Sequence, residues 1–394
     1  MQIVLITWPG GENDPFTVFN RTLQRQLANQ GRKVTLIRLD ASFGASLEIA
    51  LRGGIDFAIS WQGLGSNFVP SGSSAVFWDL FRVPLFCIHG DHPSQTPALN
   101  MADADHVVHL YTTASYCLYA NAMIPRRRPA TYIHPPMVVD RPSQGERSGD
   151  FLVLPKNLDD ALSTMEHWKT AHAPVIQEFL FSAAAAVSDS MLADPVTDHH
   201  AIVDAMLDDE GGMTRIKAAF PDTHDLALRN GLHGMMTKFY RNLLAQHVID
   251  QLRHVPVKVY GRGWERFAAL GNPKHEFLAP HLASDSDFQY FSNYGILDIG
   301  PTFDSFHDRS QRAIANRSGF LMGSAWPPRE EFSDPHDELF FNANPGNLLE
   351  RVDRVIRDPD GHRERCRDFG REYRRRASPY EFLKKLELMR AALF

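Results

Sequence analysis

Short apolar runs alternate with stretches of helical spacing through the first third of the chain. Residues 3–7 form a continuous apolar run that ends in Pro9, Gly10 and Gly11. Phe16, Phe19, Leu23 and Leu27 then recur at helical spacing up to Gly31, and residues 33–39 form a second run. A continuous apolar run reads as a strand covered on both faces, and recurrence at i, i+3, i+4 reads as an amphipathic helix. Strand, glycine turn, helix and strand make a βαβ unit and therefore a parallel sheet. The alternation continues with a helix near 46–52, a strand at 57–61, a helix near 74–81 and a strand at 85–88. Further strands are expected at 107–110 and 131–133. The pattern predicts a doubly wound α/β domain over residues 1–140.

Residues 140–150 are polar and read as a linker. From 158 to 252 the spacing is helical, with Ala183–Ala186 suiting one buried helix and Leu243, Leu244, Val248, Ile249 and Leu252 another. We expect a linker and helical insert over 141–254. A second α/β domain, 255–378, opens with a strand at 256–260 and the turn Gly261-Arg262-Gly263-Trp264. A short strand at 276–278, a helix at 285–293 and an apolar strand at 294–299 follow. Then come a polar turn at 302–308, a helix at 309–316 and another apolar run at 320–322. The tail reads as two helices separated by Ser378 and Pro379, with 379–394 as a closing helix.

The 394 residues suit two domains, each with its own core. A formal net charge of −6 argues against general nucleic-acid binding, which calls for a basic excess. Three widely spaced cysteines, Cys87, Cys117 and Cys366, fit neither a disulfide framework nor a CxxC metal site. They fit a reducing compartment such as the cytoplasm. The N-terminus reads as a first strand rather than a signal peptide, and no stretch is expected to span a membrane.

Chemistry is expected on the loops that follow strands. The turn before residue 309 directs backbone N–H groups and a positive helix end to a strand's carboxyl edge, where an α/β fold binds phosphate. Arg309 and Arg312 lie in the first helical turn with His307 just before them. Cations at a helix N-terminus work against its dipole, so an anion would explain them. The alternative is that Arg309 pairs with Asp304 or Asp308 in an ordinary cap. Glu12 and Asp14 follow the first strand; either is a candidate base, and Asp14 or Asn13 equally suits an N-cap before Pro15. His89, Asp91 and His92 follow the fourth strand and offer a base near neutral pH or a loop of satisfied polar residues. Gly261 and Gly263 would let a phosphate or ribose approach the backbone, and Trp264 reads as a stacking platform or as core. The acidic and histidine run Asp198, His199, His200, Asp204, Asp208, Asp209 and Glu210 reads as a solvated face, as do Arg126–Arg128 and Arg374–Arg376.

Gly261-Arg262-Gly263-Trp264, His307-Asp308-Arg309, Ala313 and Ser318-Gly319 together resemble the C-terminal domain of the GT-B glycosyltransferases, most closely the CgeB-like (spore maturation) branch. The likeness covers about residues 255–377. It departs from the branch where Gln311 and Arg312 replace a carboxylate common in that helix. The resemblance implies two Rossmann-like domains facing a cleft, and transfer of a sugar from a nucleotide donor, a UDP-sugar foremost, to an acceptor hydroxyl. No metal or other cofactor is implied. The donor's phosphates would meet Gly261, Arg262, Gly263, Ser305, His307, Asp308 and Arg309. Its base would meet Phe277 and Leu278, with Trp264 nearby. The base that activates the acceptor would be Asp14, Glu12, His89 or Asp91, with Asp14 favoured because its loop borders both substrates in the resembled fold. A nucleotide-sugar epimerase on the same scaffold, or a non-catalytic GT-B-like binding protein, are the alternatives. The acceptor, whether glycan, protein or small molecule, stays open.

Overall fold

A computed structural model describes residues 1–10, 15–136, 149–193, 198–209, 211–269, 274–278, 292–300, 308–323, 336–341 and 345–394. Glu12, Asp14, Ser305 and His307 lie outside the described residues, as does most of the helix expected at 285–293. The chain divides into two compact units. One comprises Met1–Asp140 with Glu372–Phe394, the other Arg141–Arg371.

The first unit holds a six-stranded parallel sheet of order β2-β1-β3-β4-β5-β6. The strands are β1 (Gln2–Thr7), β2 (Lys33–Arg38), β3 (Phe57–Trp61), β4 (Leu85–His89), β5 (Val107–Tyr111) and β6 (Thr131–Tyr132). Successive strand residues point to opposite faces, and two cores result. Ile3, Leu5, Phe57 and Ile59 join Leu23 and Leu27 on one face, while Val4, Ile6, Ala58 and Leu85 join Leu47 and Trp78 on the other. The closing helix Pro379–Leu393 adds Phe382, Leu383 and Leu386 to the first of these cores. Ser378 caps that helix by accepting from the Glu381 N–H, and Pro379 supplies a φ suited to its first turn.

The second unit holds another six-stranded sheet, ordered β12-β11-β10-β7-β8-β9 and parallel at every pairing. Its strands are β7 (Leu152–Pro155), β8 (Val257–Tyr260), β9 (His275–Leu278), β10 (Gly295–Ile299), β11 (Phe320–Gly323) and β12 (Phe340–Phe341). The sheet therefore begins a full strand earlier than the sequence pattern indicated. Leu152, Val153 and Leu154 are completely buried because β7 is paired on both edges and covered on both faces. Four apolar residues after a polar loop carry too little periodicity to announce such a strand. Among the described residues, five helices, Ala161–Ala171, Pro174–Ala193, His199–Asp208, Gly212–Ala219 and Asp225–Gln251, lie between β7 and β8, so the helical segment is an excursion within this unit.

Helix Pro174–Ala193 is long and apolar enough, by length and composition alone, to cross a membrane. Its Leu180, Ala183 and Val187 are fully buried in the unit's own core. His199 and His200, expected on a solvated face, are buried as well. Asp204 accepts from His233 Nε2 at 2.9 Å, His233 and His200 meet through their Nδ1 atoms at 3.0 Å, and Thr237 Oγ1 joins His200 to His199. A polar chain satisfied from within can be buried, which the alternation of residue types does not reveal.

Candidate functional site

The chain enters the second sheet at its middle. It runs outward from β7 through β8 to β9, then returns to β10 and runs the other way. Helices and loops leave β7 and β10 on opposite sides, which opens a crevice at their carboxyl ends where open α/β sheets bind ligands. Lys156 directly follows β7, and Arg309 is the second residue of helix Asp308–Ala315, which follows β10.

Arg309 Nη1 lies 3.6 Å from Oδ1 of Asp298, a residue of β10 with no exposed surface. The other oxygen of Asp298 accepts from the Ser310 N–H at 3.1 Å and the Ser310 hydroxyl at 2.8 Å. One buried carboxylate thus both caps the helix and holds the guanidinium, and it is a partner that sequence inspection did not suggest. Lys156 is half-buried, and its ammonium forms no ion pair or hydrogen bond among the described residues. Burial, then the nearby cations Arg241 and Arg309, bring it down to about 7 against a weaker opposing pull from Asp159. Neither Lys156 nor Arg241 stood out in the sequence. The apolar run Leu152–Leu154 with a lysine just beyond it was the available signal for the first.

The turn at Gly261–Trp264 braces this crevice. Lys156 N–H donates to Tyr260 O, Leu158 N–H to Arg262 O, Arg262 N–H to Asn157 Oδ1, and Trp264 Nε1 to Lys156 O. A Cβ on Gly261 would lie 2.0 Å from Lys156 O, and one on Gly263, whose φ is +85°, would lie 1.8 Å from Leu158 O. These glycines admit a neighbouring backbone, whereas the sequence reading had them admit a ligand. Trp264 is buried against Phe267 and Phe277, so it serves as core. Arg262 is exposed, Phe277 and Leu278 are half-buried on the edge strand β9, and Leu278 O accepts from Gly261 N–H.

In the first unit the sheet order reverses at β1 and β3. Gln62 follows β3 with a left-handed φ of 55° and donates through Nε2 to Asp91 Oδ2 at 2.5 Å. His89 ends β4 and is wholly buried, stacked on Tyr111 and on His109. His109 Nε2 donates to Ala102 O at 2.7 Å, so its Nδ1 accepts from His89 Nε2 at 2.9 Å. Burial, then His109 and Arg126, hold His89 well below the ordinary histidine range. Its imidazole is therefore neutral, and the expected near-neutral titration does not apply to it. His92 is buried too and accepts from Ser94 N–H through Nδ1. Among the described residues no group of three or more His, Cys, Asp or Glu is placed to hold a metal.

No family model and no curated protein matches this sequence. Solved structures do. An α-glucosyltransferase in complex with UDP and a DNA 13-mer containing a HMU base aligns at a TM-score of 0.51, with 10% identity over 99% of each chain. The complex of an α-glucosyltransferase with UDP-glucose and DNA containing an abasic site aligns at 0.50, with 10% identity and again 99% of each chain. The chain has the GT-B fold. T4 phage β-glucosyltransferase aligns at 0.48, with 10% identity over 98% of each chain. In this GT-B chain Lys156 and Arg309 follow strands of the second unit, and Asp91 and His89 lie at the end of a strand of the first.

Proposed function

We propose that this GT-B chain is a glycosyltransferase, nearest the CgeB-like branch, that passes a sugar from a UDP-sugar to an acceptor hydroxyl. The observation that carries the reading is the crowding of Lys156, Arg241 and Arg309 at the crevice of the second sheet. Like charges held together in a partly dry site raise the energy of the empty protein, and a diphosphate relieves it. When the bond between the sugar and the diphosphate breaks, negative charge develops on the leaving oxygens. Cations and a helix start already aimed there stabilise that charge without rearrangement, which removes the need for a metal. The α-glucosyltransferase of the same fold in complex with UDP and UDP-glucose supports UDP as the nucleotide. The acceptor's proton would go to a first-unit group, with Asp14, Glu12 and Asp91 as candidates. Calorimetry against nucleoside diphosphates, followed by nucleotide release from a labelled donor, tests the reading. UDP binding and release of UDP from a UDP-sugar are expected. A wild-type protein that binds no nucleoside diphosphate would refute it, and binding without release under any acceptor would leave a binding protein.

A further inference from the structure

A cavity of about 330 Å³ opens between helix Pro345–Arg357 and the start of helix Pro359–Ala377. Arg351, Arg354, Arg357 and Arg365 line it together with Glu338, Asp358 and His362. Its position in the fold differs from that of the Lys156 crevice. Glu338 precedes β12, and His362 packs against Gly319, the residue before β11. The cavity therefore sits at the amino-terminal edge of the sheet, whereas Lys156 and Arg309 follow strand carboxyl ends.

Four guanidinium groups and two carboxylates line the cavity, and two further carboxylates on helix Pro345–Arg357 balance the positive charge of the outer pair, Glu350 at 2.5 Å from Arg354 and Asp353 at 3.8 Å from Arg357. Burial, then Arg365, bring His362 down to about 4, so it adds no charge. The better-covered arginines have donors to spare. Arg351 spends Nε on Phe340 O, and its Nη1 comes no nearer to Glu350 than 3.9 Å. Arg365 stands 3.8 Å from Glu338 and 3.6 Å from Asp358, and its Nε is buried without a hydrogen-bond partner. Such separations give Coulombic attraction without a hydrogen bond. An ordinary surface pair looks different: Arg354 meets Glu350 at 2.5 Å on the same helix. Among the described lining residues the only ring is the imidazole of His362, which is buried against Gly319, so no open ring face there offers a platform for a nucleobase.

We propose that this cavity is a second anion site, shaped for a compact oligophosphate whose terminal oxygens bridge Arg351 and Arg365. The ligand is either a free oligophosphate or the phosphate tail of a nucleotide, since both present the same oxygens. The site is independent of the UDP reading, and the test keeps the two apart.

The probe is pyrophosphate, followed by calorimetry at fixed ionic strength, on a protein whose carboxyl-edge crevice is disabled by Lys156→Met with Arg309→Gln. That protein is expected to bind pyrophosphate still. Adding Arg351→Gln and Arg365→Gln is expected to weaken it at least tenfold, because charge-assisted hydrogen bonds are lost. UDP affinity of the wild-type background should be unchanged by Arg351→Gln and Arg365→Gln. If these two fail to fold together, the exposed Arg357→Gln should still weaken pyrophosphate several-fold. Loss of all pyrophosphate binding on disabling the crevice, or indifference to Arg351, Arg365 and Arg357, would overturn the site. So would sulfate binding as tightly as pyrophosphate. A nucleoside triphosphate that competes with pyrophosphate in the disabled protein identifies the nucleotide tail as a ligand, and failure to compete leaves the free oligophosphate.

Discussion

Arg309 Nη1 reaches Oδ1 of Asp298 at 3.6 Å, and Asp298 is buried in the strand that ends just before the crevice. A carboxylate buried in an apolar strand is costly unless it is hydrogen-bonded and paired, and Ser310 and Arg309 supply both. The same guanidinium remains partly accessible to a ligand. Arg309→Gln is expected to lower UDP affinity about tenfold or more, as loss of a charge-assisted phosphate contact does. It should also cost stability, up to about 3–5 kcal/mol, because the Asp298 carboxylate stays buried with only its Ser310 bonds once the guanidinium is gone. Calorimetry with a parallel urea melt checks both, and unaltered UDP affinity would remove Arg309 from the anion site.

Lys156 makes UDP binding depend on pH. Its ammonium, brought down to about 7 by burial and by Arg241 and Arg309, loses its proton as pH rises through neutrality. A bound diphosphate pulls that value back up, so binding takes up a proton and affinity falls between pH 6 and pH 8. The stability effect has the opposite sense. Between about 7 and the unfolded value near 10.5 the unfolded chain holds more protons at this position, so folding gains as pH rises. Lys156→Met is therefore expected to flatten the pH dependence of UDP affinity, weaken it about tenfold at pH 6, and raise the melting temperature there. A Lys156→Met protein with the wild-type pH profile would show that this amine is not at the phosphates.

How far the sequence reached depended on how local each feature is. The first sheet was legible because β1, β3, β4 and β5 are continuous buried runs with helices or turns between them. The strand β7 was not, and with it went Lys156. Asp298 was passed over as part of an apolar strand, and the expected partners of Arg309 were Asp304 and Asp308, because only the fold brings the end of that strand against the second residue of the helix. The Gly261–Trp264 turn was recognised as a turn, but its partner loop lies 105 residues earlier at Asn157, a separation no spacing rule spans. His199 and His200 were misjudged because their partners, Thr237 and His233, come from another helix.

That turn yields a sharp mutational test. Gly261→Ala would drive a Cβ to 2.0 Å from the Lys156 carbonyl, and Gly263→Ala adds strain at φ +85° to a 1.8 Å clash with Leu158 O. Overpacking against backbone costs about 1–3 kcal/mol, and a left-handed non-glycine residue about 1–2 more. Gly261→Ala should thus lose about 1–3 kcal/mol of stability and Gly263→Ala about 2–5. Denaturant melts measure it. If Gly261→Ala keeps full stability and loses only UDP affinity, the glycine serves ligand approach after all.

Acid should destabilise the protein from pH 6.5 downward. Burial is the main cause that brings His109 and His199 to about 3 and His362 to about 4, with Arg126, His233 and Arg365 respectively adding repulsion. Below pH 6.5 the unfolded chain takes up protons at these positions and the folded protein does not. Stability then falls with falling pH until the folded values are reached. At pH 5 the loss is about 2 kcal/mol for each such histidine. His199→Gln, which removes one of them, is expected to narrow the gap between urea melts at pH 7.5 and pH 5.0 by about that amount. An unchanged gap would mean that His199 titrates normally in the folded state.

The base for the acceptor hydroxyl is the remaining test. His89 is a poor candidate on its geometry. Its Nε2 proton is committed to His109, its Nδ1 is buried, and its low proton affinity would make it an inefficient acceptor. Asp91 is half-buried two residues beyond β4 and is held by Gln62, so its carboxylate is oriented while still reachable. General-base catalysis contributes about 10²–10⁴-fold. If Asp91 is the base, Asp91→Asn lowers the single-turnover rate by that factor with UDP affinity unchanged. His89→Ala should mainly lower the melting temperature, since it opens a void beneath Tyr111 and strands His109. Asp14→Asn and Glu12→Gln complete the set as the other candidate carboxylates. A full rate in Asp91→Asn with a collapse in Asp14→Asn would move the base to the loop after β1, and near-normal rates in all four would count against base-assisted transfer by this chain.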